Sequence, residues 1–277
     1  MLVRSYNKPL TLIGGGKFSQ QIFSKCLRIA PTLIAVDSGL NHLNIKKSIP
    51  KWVIGDLDSA KKIYSICNEV DKPFEIIFSE NGSTDNTVNL IQNFINDKEN
   101  CFMIRNEIAN YGLALKNGFK NAKNDLIISF DIDYFSQKFL EQSLKLSDEF
   151  VGIVASKRMS ESEDERTIVR KLATSTFVLL LKFLFQTSLS DTHGMKAIRR
   201  DNIQKEINNV ISTQDIFDTE LLIRIEKSGF RIQEVPAKVN EIRPSVSVIF
   251  TRIPRTLKSL LKLRYQLFKE SLNTNNL

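Results

Sequence analysis

Through the first 125 residues, short apolar runs alternate with segments whose apolar positions recur at helical spacing. LTLIGG (10–15) is a continuous apolar run stopped by glycines, which predicts a buried strand. QQIFSKCLRI (20–29) follows at helical spacing, and TLIAVDSG (32–39) predicts a second strand and turn. KWVIGDLDS (51–59) predicts a third strand, and AKKIYSICNEV (60–70) a helix. FEIIFSENGS (74–83) is a strand entering a polar turn, TVNLIQNFIN (87–96) a helix, and NDLIISFDID (124–133) a strand that ends in acids. Strands alternating with helices at this spacing predict a parallel α/β sheet. Ligands of such sheets gather beyond the carboxyl ends of the strands, which is where every acidic turn named here falls.

The second half is longer-waved. RTIVRKLATSTFVLLLKFLF (166–185) predicts a long helix running from basic to apolar, and FDTELLIRIEKSGF (217–230) an amphipathic helix stopped by Ser-Gly. RIQEVPAKVN (231–240) predicts a strand. IPRTLKSLLKLRYQLFK (253–269) places leucines at helical spacing with cations between them, and the closing SLNTNNL is expected to fray.

With 277 residues and 42% hydrophobic content, the chain can bury a large core. The net charge of +8 suits phosphorylated substrates, an anionic membrane surface or nucleic acid. Part of it is concentrated in Arg252, Arg255, Lys258, Lys262, Arg264 and Lys269, with no acid among residues 252–269. Cys26, Cys67 and Cys101 lack metal-ligand spacing and read as reduced thiols. Two histidines argue against a histidine-rich metal site or a Ser/His/Asp arrangement. FVLLLKFLF (177–185), interrupted by Lys182, falls short of the roughly 20 apolar residues that span a bilayer. The amino-terminal MLVRSYNKPL has no apolar core of a signal peptide.

Two carboxylates one residue apart at a strand end can share a divalent cation, and that cation can grip a diphosphate. Asp131 and Asp133 after LIISF have this spacing, and so do Asp56 and Asp58 after WVIG. From residue 74 to about 243, several ordered motifs resemble a family 2 glycosyltransferase of the polyprenyl-phosphate sugar transferase type. They are EIIFSENGSTDNTVNLI (75–91), NYGLALKNGFKNAKNDLIISFDID (110–133), ASKRM (155–159), DTHGMKAIRR (191–200) and FDTELLIRIEKSGFRIQEVPAKV (217–239).

The resemblance implies a GT-A-like mixed, mostly parallel sheet flanked by helices, with an α/β amino-terminal extension. It implies Mg2+ or Mn2+ on Asp131 and Asp133, holding the diphosphate of a UDP- or GDP-hexose. Glu80 and Asn81 stand where the family has two aspartates and would meet the base or ribose. Asp85 would brace that loop or cap the next helix. Gly112 and Gly118 would allow backbone to approach the nucleotide or a helix to pack closely. Arg158, with Arg166 and Arg170 behind it, would bind an acceptor or leaving-group phosphate. Asp215 in QDIFD is the candidate general base, although a phosphate acceptor is nucleophilic without one. Asp191, Asp218 and Glu220 match family positions and serve equally as caps or ion-pair partners.

The front end differs. LIGGG (12–16), VDSGLNHL (36–43) and PKWVIGDLDS (50–59) resemble the amino-terminal part of thiamin pyrophosphokinase, in which Asp37, Asp56 and Asp58 would lie near Mg2+ and ATP. Residues 51–55 are expected beside 74–78 as a substitute first strand of the transferase sheet. The expected domains are therefore 1–60, 61–243 and a basic amphipathic tail, 244–277. The expected reaction is metal-dependent, inverting hexose transfer to a polyprenyl phosphate or another membrane-associated acceptor. The location expected is cytoplasmic, peripheral at the inner face of a membrane, without a nucleic-acid partner. The alternatives are a truncated thiamin pyrophosphokinase-type diphosphoryl transfer and an inactive basic lipid-binding fragment.

Overall fold

The computed structural model describes residues 10–13, 21, 24–25, 28, 32–36, 52–54, 58–70, 72–131, 134–164, 168–214, 216–239 and 247–274. The chain divides into two compact units, Met1–Asp58 and Ser59–Leu277. In the first, β1 (Leu10–Ile13), β2 (Thr32–Val36) and β3 (Trp52–Ile54) form a parallel sheet in that order. Trp52–Ile54 thus pairs with Ile34–Val36, while Ile76–Asn81 pairs with Cys101–Asn106. Successive parallel strands pair most readily with their own sequence neighbours, and β3 has one in β2.

The helix α1 (Asp58–Asn68) leads into the second unit, which starts at Ser59. Then β4 (Ile76–Asn81) and β5 (Cys101–Asn106) pair in parallel around α2 (Thr87–Ile95). Next come α3 (Tyr111–Asn121), β6 (Leu126–Ser129), α4 (Gln137–Leu144), β7 (Gly152–Ser156), the short β8 (Glu163–Asp164) and α5 (Ile168–Phe185). The chain continues through β9 (Lys196–Arg199), α6 (Gln204–Asn209), α7 (Phe217–Lys227), β10 (Ile232–Pro236), β11 (Lys238–Val239) and α8 (Ser247–Thr274). The order β10-β7-β9-β6 makes a mixed sheet, with β10 and β7 parallel and β9 antiparallel to β7 and β6.

Alternation along the strands sorts the core into two faces. Val154 and Ile198 point to one side, against Phe119 of α3 and Phe217, Leu221 and Ile225 of α7. Ile153, Ala155 and Ala197 point to the other, with Phe139 of α4 and Val235 of β10. A third cluster joins Leu181 and Phe185 of α5, Ile223 of α7, and Leu260 and Leu263 of α8. The helix α7 is therefore covered on two sides, and every residue from Phe217 to Ile225 is buried. Its sequence reads as amphipathic, but its polar face is enclosed as well. At the tail, the helix begins at Ser247, ahead of the expected 253, and continues to Thr274 through residues expected to fray.

Candidate active site

Polar turns gather at the carboxyl ends of β4, β6 and β7. After Glu80 and Asn81 the chain turns at Gly82, whose φ is +68°. A Cβ at Gly82 would lie 2.6 Å from the Ala109 amide nitrogen, so glycine is required by both conformation and space. Asn81 Oδ1 accepts the Asn110 amide at 2.6 Å. Asn110 caps α3 by accepting the Leu113 amide with its own side chain at 3.2 Å. Ser79 Oγ donates to the Ala114 carbonyl at 2.5 Å, so the start of α3 is fastened to the end of β4.

The same helix start reaches two other motifs. Tyr111 donates its hydroxyl to Asp131 Oδ1 at 3.0 Å. Asp131 is exposed just beyond β6, in a turn closed by the Tyr134 amide on its carbonyl at 2.9 Å. Gly112 abuts the opposite segment: a Cβ there would lie 2.4 Å from the Gln214 carbonyl oxygen. The glycine thus admits the 213–214 backbone, immediately ahead of Asp215. At Gly118 a Cβ would meet Ser79 only at ordinary contact distance, 3.6 Å.

Glu80 is 4% exposed. Its Oε1 accepts the Ser83 amide at 2.5 Å, and Oε2 lies 3.7 Å from Arg105 Nε with no hydrogen-bond partner. Burial pushes its pKa up, but hydrogen bonds from Ser83 and Gly82 and the Arg105 charge outweigh that and hold it below the ordinary value. Asp85 Oδ1 accepts the Thr87 hydroxyl at 2.5 Å and the Thr87 amide at 3.0 Å. These bonds depress its pKa and put an anion at the start of α2.

At the exit of β7, buried Asp191 holds the chain by several bonds. Its carboxylate meets Lys157 Nζ at 3.1 Å and accepts the Lys157 amide at 3.3 Å and the His193 amide at 3.0 Å. Arg158 is exposed, and its Nη1 donates to Ser175 Oγ on α5 at 2.5 Å. Gly194 has φ +145°, and a Cβ on it would come within 3.1 Å of the Ala155 carbonyl and 4.0 Å of the Tyr134 ring. The 190–194 loop therefore lies against both the β7 exit and the turn that starts at Asp131.

Several sequence-derived candidates fall outside the described residues: Asp37, Asp56, Asp133, Arg166 and Asp215. Asp58 and Arg170 are described only as members of α1 and α5. The structure brings together Asn81, Gly112 and Asp131, with Glu80 turned into its own loop. Sequence reading missed Tyr111, Lys157 and the buried Lys196. Lys196 sits in the quoted DTHGMKAIRR stretch, but no pattern there signals burial. Among the described residues no three His, Cys, Asp or Glu side chains converge as a metal cage. Mg2+ is commonly held by one or two carboxylates plus substrate phosphates, a count that Asp131 and Asp133 meet. Cys67 and Cys101 are free, with thiol pKa values raised by burial, so neither is poised as a thiolate.

A mixed α/β sheet with acidic and basic turns at its carboxyl ends is the layout of a GT-A-like transferase. One solved neighbour is glucosyl-3-phosphoglycerate synthase from Mycobacterium tuberculosis, in complex with Mn2+, uridine diphosphate and phosphoglyceric acid. It matches with a TM-score of 0.53 over 76% of this chain and 73% of that one, at 18% identity. At that identity the likeness shows the fold. Residues 60–206, more than half of the chain, match Glycosyl transferase family 2, and the chain belongs to that family.

Among curated relatives, a dolichyl-phosphate beta-glucosyltransferase of Trichomonas vaginalis is 25% identical over 209 residues, covering 72% of this chain and 64% of the relative. An undecaprenyl-phosphate 4-deoxy-4-formamido-L-arabinose transferase of Pectobacterium carotovorum is 25% identical over 144 residues, covering 50% and 43%. The chain thus spans less than two thirds of the length of these relatives. They give no support to a thiamin pyrophosphokinase-like 10–59, and the family match begins at residue 60. A strand, a glycine turn and an acidic strand exit are features that many α/β sheets share.

Proposed function

We propose that this domain transfers a hexose, with inversion, from a UDP- or GDP-sugar to a polyprenyl phosphate or another membrane-associated acceptor. The observation that carries this reading is the convergence on the start of α3 of the β4 turn, exposed Asp131 and the 213–214 segment. The relatives named for dolichyl and undecaprenyl phosphate support the acceptor class. Neighbours of this fold solved with Mn2+ and UDP-glucose, or Mg2+ and UDP, support the donor and the cation.

In this reading Asp131 and Asp133 hold Mg2+ or Mn2+, which offsets charge on the departing nucleoside diphosphate. Tyr111 fixes the Asp131 carboxylate through its hydroxyl. Glu80 Oε2, ion-paired with Arg105 but without a hydrogen-bond partner, offers an acceptor for a base N–H or ribose O–H. Arg158 receives the acceptor phosphate by forked hydrogen bonds, with Arg166 and Arg170 adding positive charge. Asp215 accepts a proton when the acceptor is a hydroxyl and is dispensable when it is already a phosphate. Titration calorimetry with UDP-glucose and GDP-mannose, each with and without MnCl2, tests this. Metal-dependent binding of one donor is expected; metal-independent silence with both would overturn the reading.

The acceptor class calls for a surface that meets a bilayer. On α8, Ile253, Leu257, Leu261, Tyr265, Phe268 and Leu272 follow each other at steps of three or four residues and are all exposed. Arg255, Lys258, Lys262 and Lys269 are exposed as well. On α5, Ile168, Leu172, Leu179 and Phe183 form a second exposed apolar stripe. No helix among the described residues is long and apolar enough to cross a membrane. An apolar stripe beside cations suits a helix lying in an anionic interface, so the reading puts the domain peripherally at the cytoplasmic face. Reversing Lys258, Lys262 and Lys269 to Glu is expected to weaken co-sedimentation with phosphatidylglycerol vesicles on the order of a hundredfold, at roughly 1 kcal/mol per basic residue removed. Unchanged sedimentation would remove α8 from this role.

A further inference from the structure

The buried polar face of α7 links the carboxyl-terminal helix to the loop ahead of Asp215. Glu220 is fully buried, and both of its carboxylate oxygens are used. Oε1 accepts the Ile211 amide at 2.9 Å and Oε2 the Ser212 amide at 2.8 Å. Arg224, one turn on, donates Nε to Glu220 Oε1 at 2.8 Å. The rest of its guanidinium turns outward and forks onto Glu270 of α8, at 2.8 and 3.3 Å. Gln266, also on α8, donates to Glu270 at 2.9 Å. Burial works against both charges, yet the paired bonds win: the Arg224 pKa is raised and that of Glu270 lowered. From the opposite side, Lys116 of α3 donates to the Val210 carbonyl, and Gly112 receives the 213–214 backbone. The loop is therefore clamped between the helix that carries Tyr111 and the chain Glu220–Arg224–Glu270.

We infer that Glu220 is a positioning residue for the 211–214 loop, and that the seating of α8, transmitted through Glu270 and Arg224, sets how firmly Glu220 holds it. The inference uses the proposed function only for what the loop does. The physical coupling stands on the hydrogen bonds alone. A carboxylate that loses its guanidinium partner in a buried site holds its remaining donors in a less fixed position, and its loop opens more often.

Amide hydrogen exchange on the full chain, without vesicles or nucleotide, tests the coupling. Glu270→Gln changes a side chain that is only partly buried, so the fold is expected to survive; exchange at the Ile211 and Ser212 amides is expected to rise on the order of tenfold. Glu149→Gln, which removes the charge of the exposed partner of Arg231, is the control and is expected to leave those amides unchanged. Arg224→Lys keeps the charge but loses the fork, and is expected to raise exchange at the same two amides. Unchanged exchange at 211–212 in both Glu270→Gln and Arg224→Lys would overturn the inference, as would an equal rise in Glu149→Gln. Because no sugar or lipid enters this measurement, a negative result here is separable from failure of the transferase reading. If UDP-glucose is the donor, Glu270→Gln is also expected to lower kcat while leaving KM for it unchanged, a split that loss of global stability would not produce.

Discussion

Asp131→Ala and Asp133→Ala are each expected to lower sugar transfer by about a thousandfold or more, a loss to be read as incorporation of labelled hexose from UDP- or GDP-sugar into dolichyl phosphate. Charge compensation at a departing diphosphate supplies several kcal/mol of transition-state stabilisation. About 1.4 kcal/mol is a factor of ten in rate, so losing roughly 4 kcal/mol removes three decades. The exposed position of Asp131 matters for reading the result: its side chain is not part of the core, so Asp131→Ala should melt close to the parent. Tyr111→Phe, which removes only the hydrogen bond to Asp131, should cost far less, because it loosens the carboxylate without deleting it. Asp58→Ala, in the other D-x-D, should retain activity within about threefold, since the proposed reading gives it no share in that charge balance. Equal and complete loss from Asp58→Ala and Asp133→Ala would contradict this ranking.

Asp218→Asn is expected to destabilise the domain by about 3–5 kcal/mol, to be measured in urea titrations. Lys196 is 1% exposed, and its ammonium lies 3.0 Å from Asp218 Oδ1, with the Gly194 carbonyl at 2.8 Å as its other partner. The carboxylate contact is a charge contact rather than a well-directed hydrogen bond, because Asp218 Oδ1 has no hydrogen-bond partner. Removing the carboxylate charge leaves a buried ammonium with the Gly194 carbonyl as its charge-compensating partner. Lys196→Met combined with Asp218→Leu should recover most of the loss, since an apolar pair of similar volume needs no compensation. A single-variant cost below about 1 kcal/mol would show that the pair is not desolvated as a unit. The same enclosure takes Lys196 out of contention as a phosphate ligand: its ammonium faces α7, whereas Arg158 faces outward.

Much of the transferase half was legible because its signals are local. Short apolar runs that end in acids predicted β4 and β6 near their observed positions, and helical spacing predicted α1, α2 and α5 to within a few residues. CFMIRN and KAIR were not marked as strands, although they become β5 and β9. Each is short and carries a cation, and each is made a strand by its partner: β5 by pairing with β4, β9 by lying between β7 and β6. FDTELLIRIEK misled in a different way. Its charges mark a solvated face by periodicity, yet Asp218, Glu220 and Arg224 are buried because Lys196, the 211–212 amides and Glu270 come from elsewhere in the chain to meet them.

The order of residues by itself determined the class of fold, the placing of acids at strand ends and the family to which the chain belongs. These depend on alternation, turn chemistry and motif spacing, all of which are written within a few neighbouring residues. Tertiary structure alone decided that the start of α3 ties Asn81 to Asp131 and abuts the 213–214 backbone, and that Glu220 answers to a helix fifty residues away. A hydrogen bond or an ion pair is indifferent to separation along the chain, so which polar groups meet is settled only when packing has brought the elements together.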